Sequence, residues 1–238
     1  MTIRDFAIKA ARKLIYPALP RTARLPFSYW MCSLAGTIEP ELQHMPALCK
    51  ARGAAIDVGA NVGLYSYRMA PIFSKVYAFE INEAVAADLA AYDSKNIEII
   101  HSGLSSEERD ATLYIPVSKG VQLNGWASLQ PGNCPDTQEH VTRAVHVRRL
   151  DSFSFRDISF IKIDVEGHEV EVLRGSVETI SANRPVILVE VKESNTGKVS
   201  SFFQAIDYEE VSLKSLCGVE GASENRIFVP REKSGTTR

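Results

Sequence analysis

The stretch Ala55-Ile56-Asp57-Val58-Gly59-Ala60-Asn61-Val62-Gly63 runs from an apolar, strand-like segment directly into a helical one. Its chemistry lies in the backbone. Gly59 allows a tight turn and close approach of a ligand, Asn61 tolerates left-handed dihedrals, and Gly63 lets the helix pack on the strand. Glu80 closes the next apolar run, Val76-Tyr77-Ala78-Phe79, 17 residues after Gly63. That is near the spacing of about 20 at which an acid receives ribose hydroxyls. Loop and acid together predict a nucleoside-containing cofactor. Asp57 narrows the choice, because its charge would repel the pyrophosphate of a dinucleotide. S-adenosylmethionine has no phosphate but carries a sulfonium and an ammonium, so Asp57 and the strand-end acids would attract its amino-acid half.

Asp164, Glu166, His168 and Glu169 gather where a later strand gives way to a helix, and ligands of open α/β sheets bind outside the carboxyl ends of strands. Strand alternation puts Lys162 and Asp164 on one face and Ile161 and Ile163 on the other. Transfer of a methyl group to an alcohol needs the oxygen in line behind the methyl carbon and a base for its proton. His168 has the unperturbed pKa of such a base. Asp164 or Glu190, at the ends of neighbouring strands, could orient it or act directly. Asp164, Glu166, His168 and Glu190 are also compatible with a divalent cation such as Mg²⁺ that acidifies the acceptor hydroxyl. Glu169 lies in the first turn of a helix, where a carboxylate serves as a cap. His44, His101, His140 and His146 are dispersed and read as surface or core groups.

The elements that must hold these residues alternate. Ala54 to Val58, Lys75 to Phe79 and Asn96 to Ile100 read as strands, with helices over Val62 to Ala70 and Glu83 to Asp93. Phe160 to Ile163, a helix from His168 to Ile180, and Val186 to Glu190 repeat the unit. This pattern predicts a doubly wound, mostly parallel α/β sheet. Ser105 to Leu150 breaks the alternation with a β-rich excursion between the third and fourth strands, in which Ala111 to Val117 and Ala144 to Arg149 read as strands. Its loop from Ser118 to Arg143 is longer than usual connections. Trp126, in Asn124-Gly125-Trp126-Ala127-Ser128, could be a substrate lid or could pack the excursion onto the domain. Residues 1–50 form an N-terminal helical extension, 51–230 the catalytic domain, and 231–238 a polar tail expected to fray.

A chain of 238 residues fits one large domain with an appendage. Lysine and arginine number 27 against 29 acids, a formal charge of −2, so no global basic field argues for nucleic acid. Before residue 39, Arg4, Lys9, Arg12, Lys13, Arg21 and Arg24 face only Asp5. That segment reads as a short basic helix, either docked on the domain with its cations solvated or in peripheral contact with an acidic membrane. Cys32, Cys49, Cys134 and Cys217 show no metal or redox spacing. With no export segment or membrane span legible, the expected location is cytoplasmic.

The loop Ile56 to Gly63, then Phe79-Glu80, then Ile161-Lys162-Ile163-Asp164-Val165-Glu166-Gly167-His168-Glu169 resembles the FkbM-type S-adenosylmethionine-dependent methyltransferases. The likeness extends to Glu39-Pro40-Glu41-Leu42, Gly103-Leu104-Ser105, Leu150-Asp151-Ser152-Phe153 and Pro185 to Val191. It implies a class I, Rossmann-like methyltransferase fold and O-methylation of a hydroxyl on a sugar, glycan or natural product. By position it assigns the cofactor to Asp57, Gly59, Ala60, Asn61, Gly63, Glu80, Ile81 and Asp164, with Gly103 and Leu104 walling the adenine. The family often has Ala-Leu-Ser-Asp where this chain has Gly103-Leu104-Ser105-Ser106, so an acid is missing at 106. Two rival readings are a non-catalytic interaction scaffold, which would bind cofactor weakly, and a nicotinamide-dependent oxidoreductase, which Asp57 and Asn61 disfavour.

Overall fold

The computed structural model describes residues 15–131, 139–222 and 224–233. The basic segment from Arg4 to Lys13, Cys134 and the last five residues therefore lie outside the described residues. In chain order the helices and strands begin with α1 (Arg21–Ala35), α2 (Pro40–Gln43), α3 (Met45–Leu48), β1 (Ala54–Val58), α4 (Leu64–Met69), β2 (Lys75–Phe79), α5 (Ala87–Ala91) and β3 (Ile97–Ile100). The excursion follows as β4 (Gly103–Leu104), β5 (Arg109–Ser118), β6 (Val121–Gln122) and β7 (His140–Arg148). The chain then returns through β8 (Ile158–Ile163), α6 (Glu169–Arg174), α7 (Val177–Asn183), β9 (Val186–Glu190), α8 (Thr196–Ala205), β10 (Tyr208–Val211), α9 (Leu213–Cys217) and β11 (Asn225–Pro230).

The main sheet has the order β10-β11-β9-β8-β1-β2-β3, and only β11 runs antiparallel to its neighbours. Strands buried on both faces need apolar residues at every position, and β1 and β8 supply them with few exceptions. Ile56, Val58, Ile161, Ile163, Ile187 and Val189 point to one face, against Val172, Leu173, Ile180, Val199 and Phe203 of the following helices. Ala55, Phe160 and Leu188 point to the other, against Met45, Leu48, Met69 and Phe73. The exceptions matter most: Asp57 and Lys162 are paired in register on β1 and β8, and each is only 1% exposed.

The sequence places three strands where the structure has them, at Ala54–Val58, Lys75–Phe79 and Val186–Glu190. It errs on the helix from His168 to Ile180, which is broken into α6 and α7. Gly175 marks the break: a side chain there would meet the carbonyl oxygen of Ser105 at 2.0 Å, so the excursion's backbone presses into the gap. The excursion is a sheet of order β4-β7-β5-β6, with β5 and β7 antiparallel from Arg109↔Val147 to Pro116↔His140. Within the described part of its long loop, β6 folds back on Val117 and Ser118.

The N-terminal segment is not a separate lobe. Ile38, Leu42, Met45, Leu48 and Cys49 belong to the core beneath β1 and β8, and Arg24 of α1 pairs with Asp88 at 3.7 Å. At the other end, Arg231 bonds Asp207 at 3.2 Å. No helix among the described residues is long and apolar enough to cross a membrane.

Candidate active site

The strand order reverses direction between β1 and β8, the switch point at which open α/β sheets bind ligands. A cleft of about 660 Å³, its open mouth included, lies there. Val58, Gly59 and Asn61 line it from β1, Phe79, Glu80 and Ile81 from β2, Gly103 and Leu104 from β4, and Asp164, Val165, Glu166 and His168 from β8.

Gly59 is held at φ +81°, and a Cβ on it would fall 1.8 Å from the carbonyl oxygen of Asp164. The two strand ends are thereby brought to backbone contact, which no other residue type permits. Asn61, at φ +52°, turns its amide toward Glu80. The Glu80 carboxylate accepts the Asn61 N–H on one oxygen at 2.8 Å and the Asn82 N–H on the other at 2.7 Å. Burial raises its pKa while these two backbone donors oppose the rise. Each oxygen retains a lone pair, so a fixed acceptor faces the cleft where a ribose would donate.

Asp57 has a different place from the one that charge reasoning gave it. It does not line the cleft; it accepts a hydrogen bond from Ser66 Oγ at 2.5 Å beneath the loop. Burial pushes its pKa up to about 6. Ala60 and Gly63 likewise shape the turn without lining the cleft.

His168 is buried, and both of its ring nitrogens are engaged. Gln130 Nε2 lies 3.3 Å from Nδ1 and Ser105 Oγ 3.0 Å from Nε2. With Gln130 donating, the ring proton sits on Nε2 and is given to Ser105. Burial lowers its pKa. The neutral ring thus ties the excursion to the β8 loop, and its basic nitrogen is occupied. Glu169 is a brace of the same loop, accepting from Gly167 N and Asn195 Nδ2, each at 2.7 Å.

Asp164, Glu166 and Glu190 do come together, with carboxylate oxygens within 4.8 Å of one another. Glu166 sits in the left-handed region at φ +52°, a strained position that often marks a functional turn. Glu190 stands behind the cleft wall. Burial, then the charge of Asp164, pushes its pKa up to about 8 against the opposing pull of Lys162. The cluster carries its own cations. Lys192 Nζ pairs with Glu166 at 2.9 Å, and Lys162 Nζ lies 3.9 Å from both Asp164 and Glu190. With Glu190 holding a proton, two ammonium groups balance two carboxylates. These lysines offset the charge of Asp164 and Glu166, two of the carboxylates that the sequence left open to a divalent ion.

The roof is the segment around Trp126 that the sequence offered as a lid or as packing. Asn124, Gly125, Ala127, Ser128 and Leu129 close the cleft from above. The strap is tied to Asn61 through the Gly125 carbonyl at 3.4 Å, to Asn82 through Asn124 at 3.0 Å, and to the Glu166 carbonyl through Ser128 Oγ at 2.7 Å. Trp126 is 45% exposed and outside the lining, so the strap covers the cleft with backbone and small side chains.

A glycine cradle, an acid at the end of β2 and further carboxylates on β8, with no lysine or arginine among the described lining residues, suit a cationic donor and not a pyrophosphate. Comparison with known proteins agrees. The methyltransferase FkbM domain pattern matches residues 57–212. The antimetabolite synthetase AmbE of Pseudomonas aeruginosa is 27% identical over 74% of this chain, which spans about 10% of that protein's length. Among solved structures, a methyltransferase FkbM of Methylobacillus flagellatus KT has a TM-score of 0.49 and 16% identity, covering 94% of this chain and 59% of that one. An rRNA methylase of Streptococcus thermophilus has a TM-score of 0.48 and 12% identity, covering 80% and 93%. Neither structural likeness, at these scores, adds weight to the family match. That match, spanning the glycine loop, the β2 acid and the β8 cluster alike, makes the chain a member of the FkbM family of S-adenosylmethionine-dependent methyltransferases.

Proposed function

We propose that the protein transfers a methyl group from S-adenosylmethionine to a hydroxyl of a sugar, glycan or natural product, with Asp164 as the base. The observation that carries this reading is the position of Asp164: it lines the cleft beside Glu166, with the Glu190 carboxylate next to it behind the wall. S-adenosylmethionine, when bound, would supply an electrophilic methyl carbon, with the electron pair of the broken S–C bond kept by sulfur as a neutral thioether.

This chain's residues do the rest. Glu80 accepts the ribose hydroxyls, and Ile81, Gly103 and Leu104 wall the base. The strap from Asn124 to Leu129 excludes water. Asp164 takes the acceptor's proton as the acceptor oxygen bonds to the methyl carbon. A mouth of carboxylates accepts hydrogen bonds from many O–H donors, which favours a polyhydroxylated acceptor. The unpaired Cys32, Cys49 and Cys217 suit a reducing, cytoplasmic setting.

Donor carrying a ¹³C methyl group, incubated with a panel of methyl hexosides, tests the reading by NMR. An O-methyl resonance is expected, equal in EDTA and in Mg²⁺. N- or S-methyl products, or strict dependence on the metal, would overturn it. Glu80→Ala should weaken S-adenosylmethionine binding roughly 100-fold, since two charge-assisted bonds at about 1.5 kcal/mol each are lost. Calorimetric titration of the variant checks this, and a change under threefold would remove Glu80 from the ribose site.

A further inference from the structure

A surface helix is ordinarily apolar toward the core and polar toward water, and α1 is not. Its inner stripe, Leu25, Ser28 and Met31, is buried, with Leu25 clustered against Ala60, Ala78 and Leu89. Away from that stripe the helix carries Ala23, Phe27, Trp30 and Leu34, spaced as one continuous outer face. Trp30 is 56% exposed and Leu34 43%, and the Phe27 and Trp30 ring centroids lie 6.0 Å apart. A helix apolar on both sides calls for a second apolar environment.

The charge around α1 says which environment. Residues 1–38 hold Arg4, Lys9, Arg12, Lys13, Arg21 and Arg24 against Asp5 alone, a formal charge of +5 in a chain whose total is −2. Arg24 is paired with Asp88, whereas Arg21, at the amino end of α1, is exposed and pairs with no acid among the described residues. Beside the helix lies a hollow lined by Tyr29 of α1, Tyr67 and Arg68 of α4, and Tyr92. The rings follow one another at 5.3 Å and 5.2 Å between centroids. Arg68 Nε is buried with no hydrogen-bond partner, and no carboxylate pairs with its guanidinium among the described residues. None of the three phenol hydroxyls has a partner there either. Buried polar groups are nearly always paired, and a guanidinium among hydroxyl donors matches the oxygens of a phosphate.

We infer that the outer face of α1 docks the protein on an anionic phospholipid surface. Phe27, Trp30 and Leu34 enter the boundary between headgroups and acyl chains, and Arg68 with its three tyrosines receives a lipid phosphate beside them. Tryptophan and tyrosine suit that boundary, having an apolar body and a polar tip. Basic residues add attraction to anionic headgroups. A second copy of the chain fits the face less well, because it would bring the same positive charge to it. None of these residues lines the cofactor cleft, so the inference stands apart from the methyl-transfer reading.

The test is co-sedimentation of the full chain with vesicles of phosphatidylcholine alone and of phosphatidylcholine with one-third phosphatidylglycerol. Binding to the anionic vesicles is expected to be at least about tenfold tighter, and to weaken with salt. Trp30→Ser should lower it by about tenfold or more through lost apolar burial, and Arg68→Gln by about fivefold. In a Trp126→Phe background the emission of Trp30 should shift to the blue on anionic vesicles. Equal binding to both vesicles, or binding untouched by Trp30→Ser, would overturn the inference. So would a dimer in light scattering that Trp30→Ser dissociates, which would give the face to a second copy. Saturable binding of inorganic phosphate without any binding to vesicles would assign the hollow to a soluble anion and likewise overturn it. S-adenosylmethionine binding should be unchanged in both variants, so failure here leaves the methyl-transfer reading standing.

Discussion

Asp164→Asn should lower kcat by about 10²- to 10⁴-fold, the range a positioned general base contributes, while S-adenosylmethionine affinity stays within about tenfold. The side chain is carried on a backbone that β1 fixes: Asp164 N donates to the Val58 carbonyl at 2.9 Å, and its own carbonyl abuts Gly59. The amide is isosteric, so it holds the cleft's shape but cannot take a proton. Asp164 also raises the pKa of Asp57, Glu80 and Glu190. Its loss should therefore shift their titrations downward together. Single-turnover rates at saturating donor separate chemistry from binding. A variant that keeps more than a tenth of the wild-type rate would show that the base lies elsewhere.

Glu190→Gln should stabilise the fold by roughly 3 kcal/mol at pH 7. Its carboxyl is pushed from an ordinary 4.5 to about 8 by burial and the Asp164 charge. The unfolded chain thus loses that proton about three pH units earlier than the folded one. Between those limits the folded state binds more protons, so stability falls as pH rises from about 4.5 to about 8 and is flat outside that window. The glutamine variant escapes this loss. Its advantage should be near zero at pH 4, large at pH 7 and fullest above pH 8, as measured by urea denaturation across that range. A pH-independent gain, or a loss at pH 7, would mean the group is ionised in the native state. Lower methyl transfer with higher stability is the exchange expected of a strained active site.

The sequence was most legible where one physical constraint dominates. β1 and β9 are short apolar runs bounded by turn residues, and their limits follow from that alone. The Gly59 turn and the Glu80 spacing likewise fixed the cleft's location, since each needs a residue type that few alternatives replace. What could not be read depends on contacts distant in sequence. Gly175 breaks a helical pattern because the backbone of Ser105 arrives there. Asp57 turned inward to Ser66 because β1 is buried on both faces, so a charge next to the loop need not touch the ligand. His168 is held by Ser105 and Gln130, and Asn225 Nδ2 donates to Glu39, 186 positions away along the chain. Spacing rules see a few tens of residues; Ser66 lies within that reach of Asp57, but Ser105 lies beyond it from both His168 and Gly175.

The central claim is that the cleft between β1 and β8 takes S-adenosylmethionine. Isothermal titration of S-adenosylmethionine and of NADH into the wild-type chain tests it directly. Saturable one-site binding of S-adenosylmethionine is expected, with no heat from NADH, because carboxylates and no cations line the described cleft. Saturable binding of NADH without S-adenosylmethionine, or of neither, would contradict it.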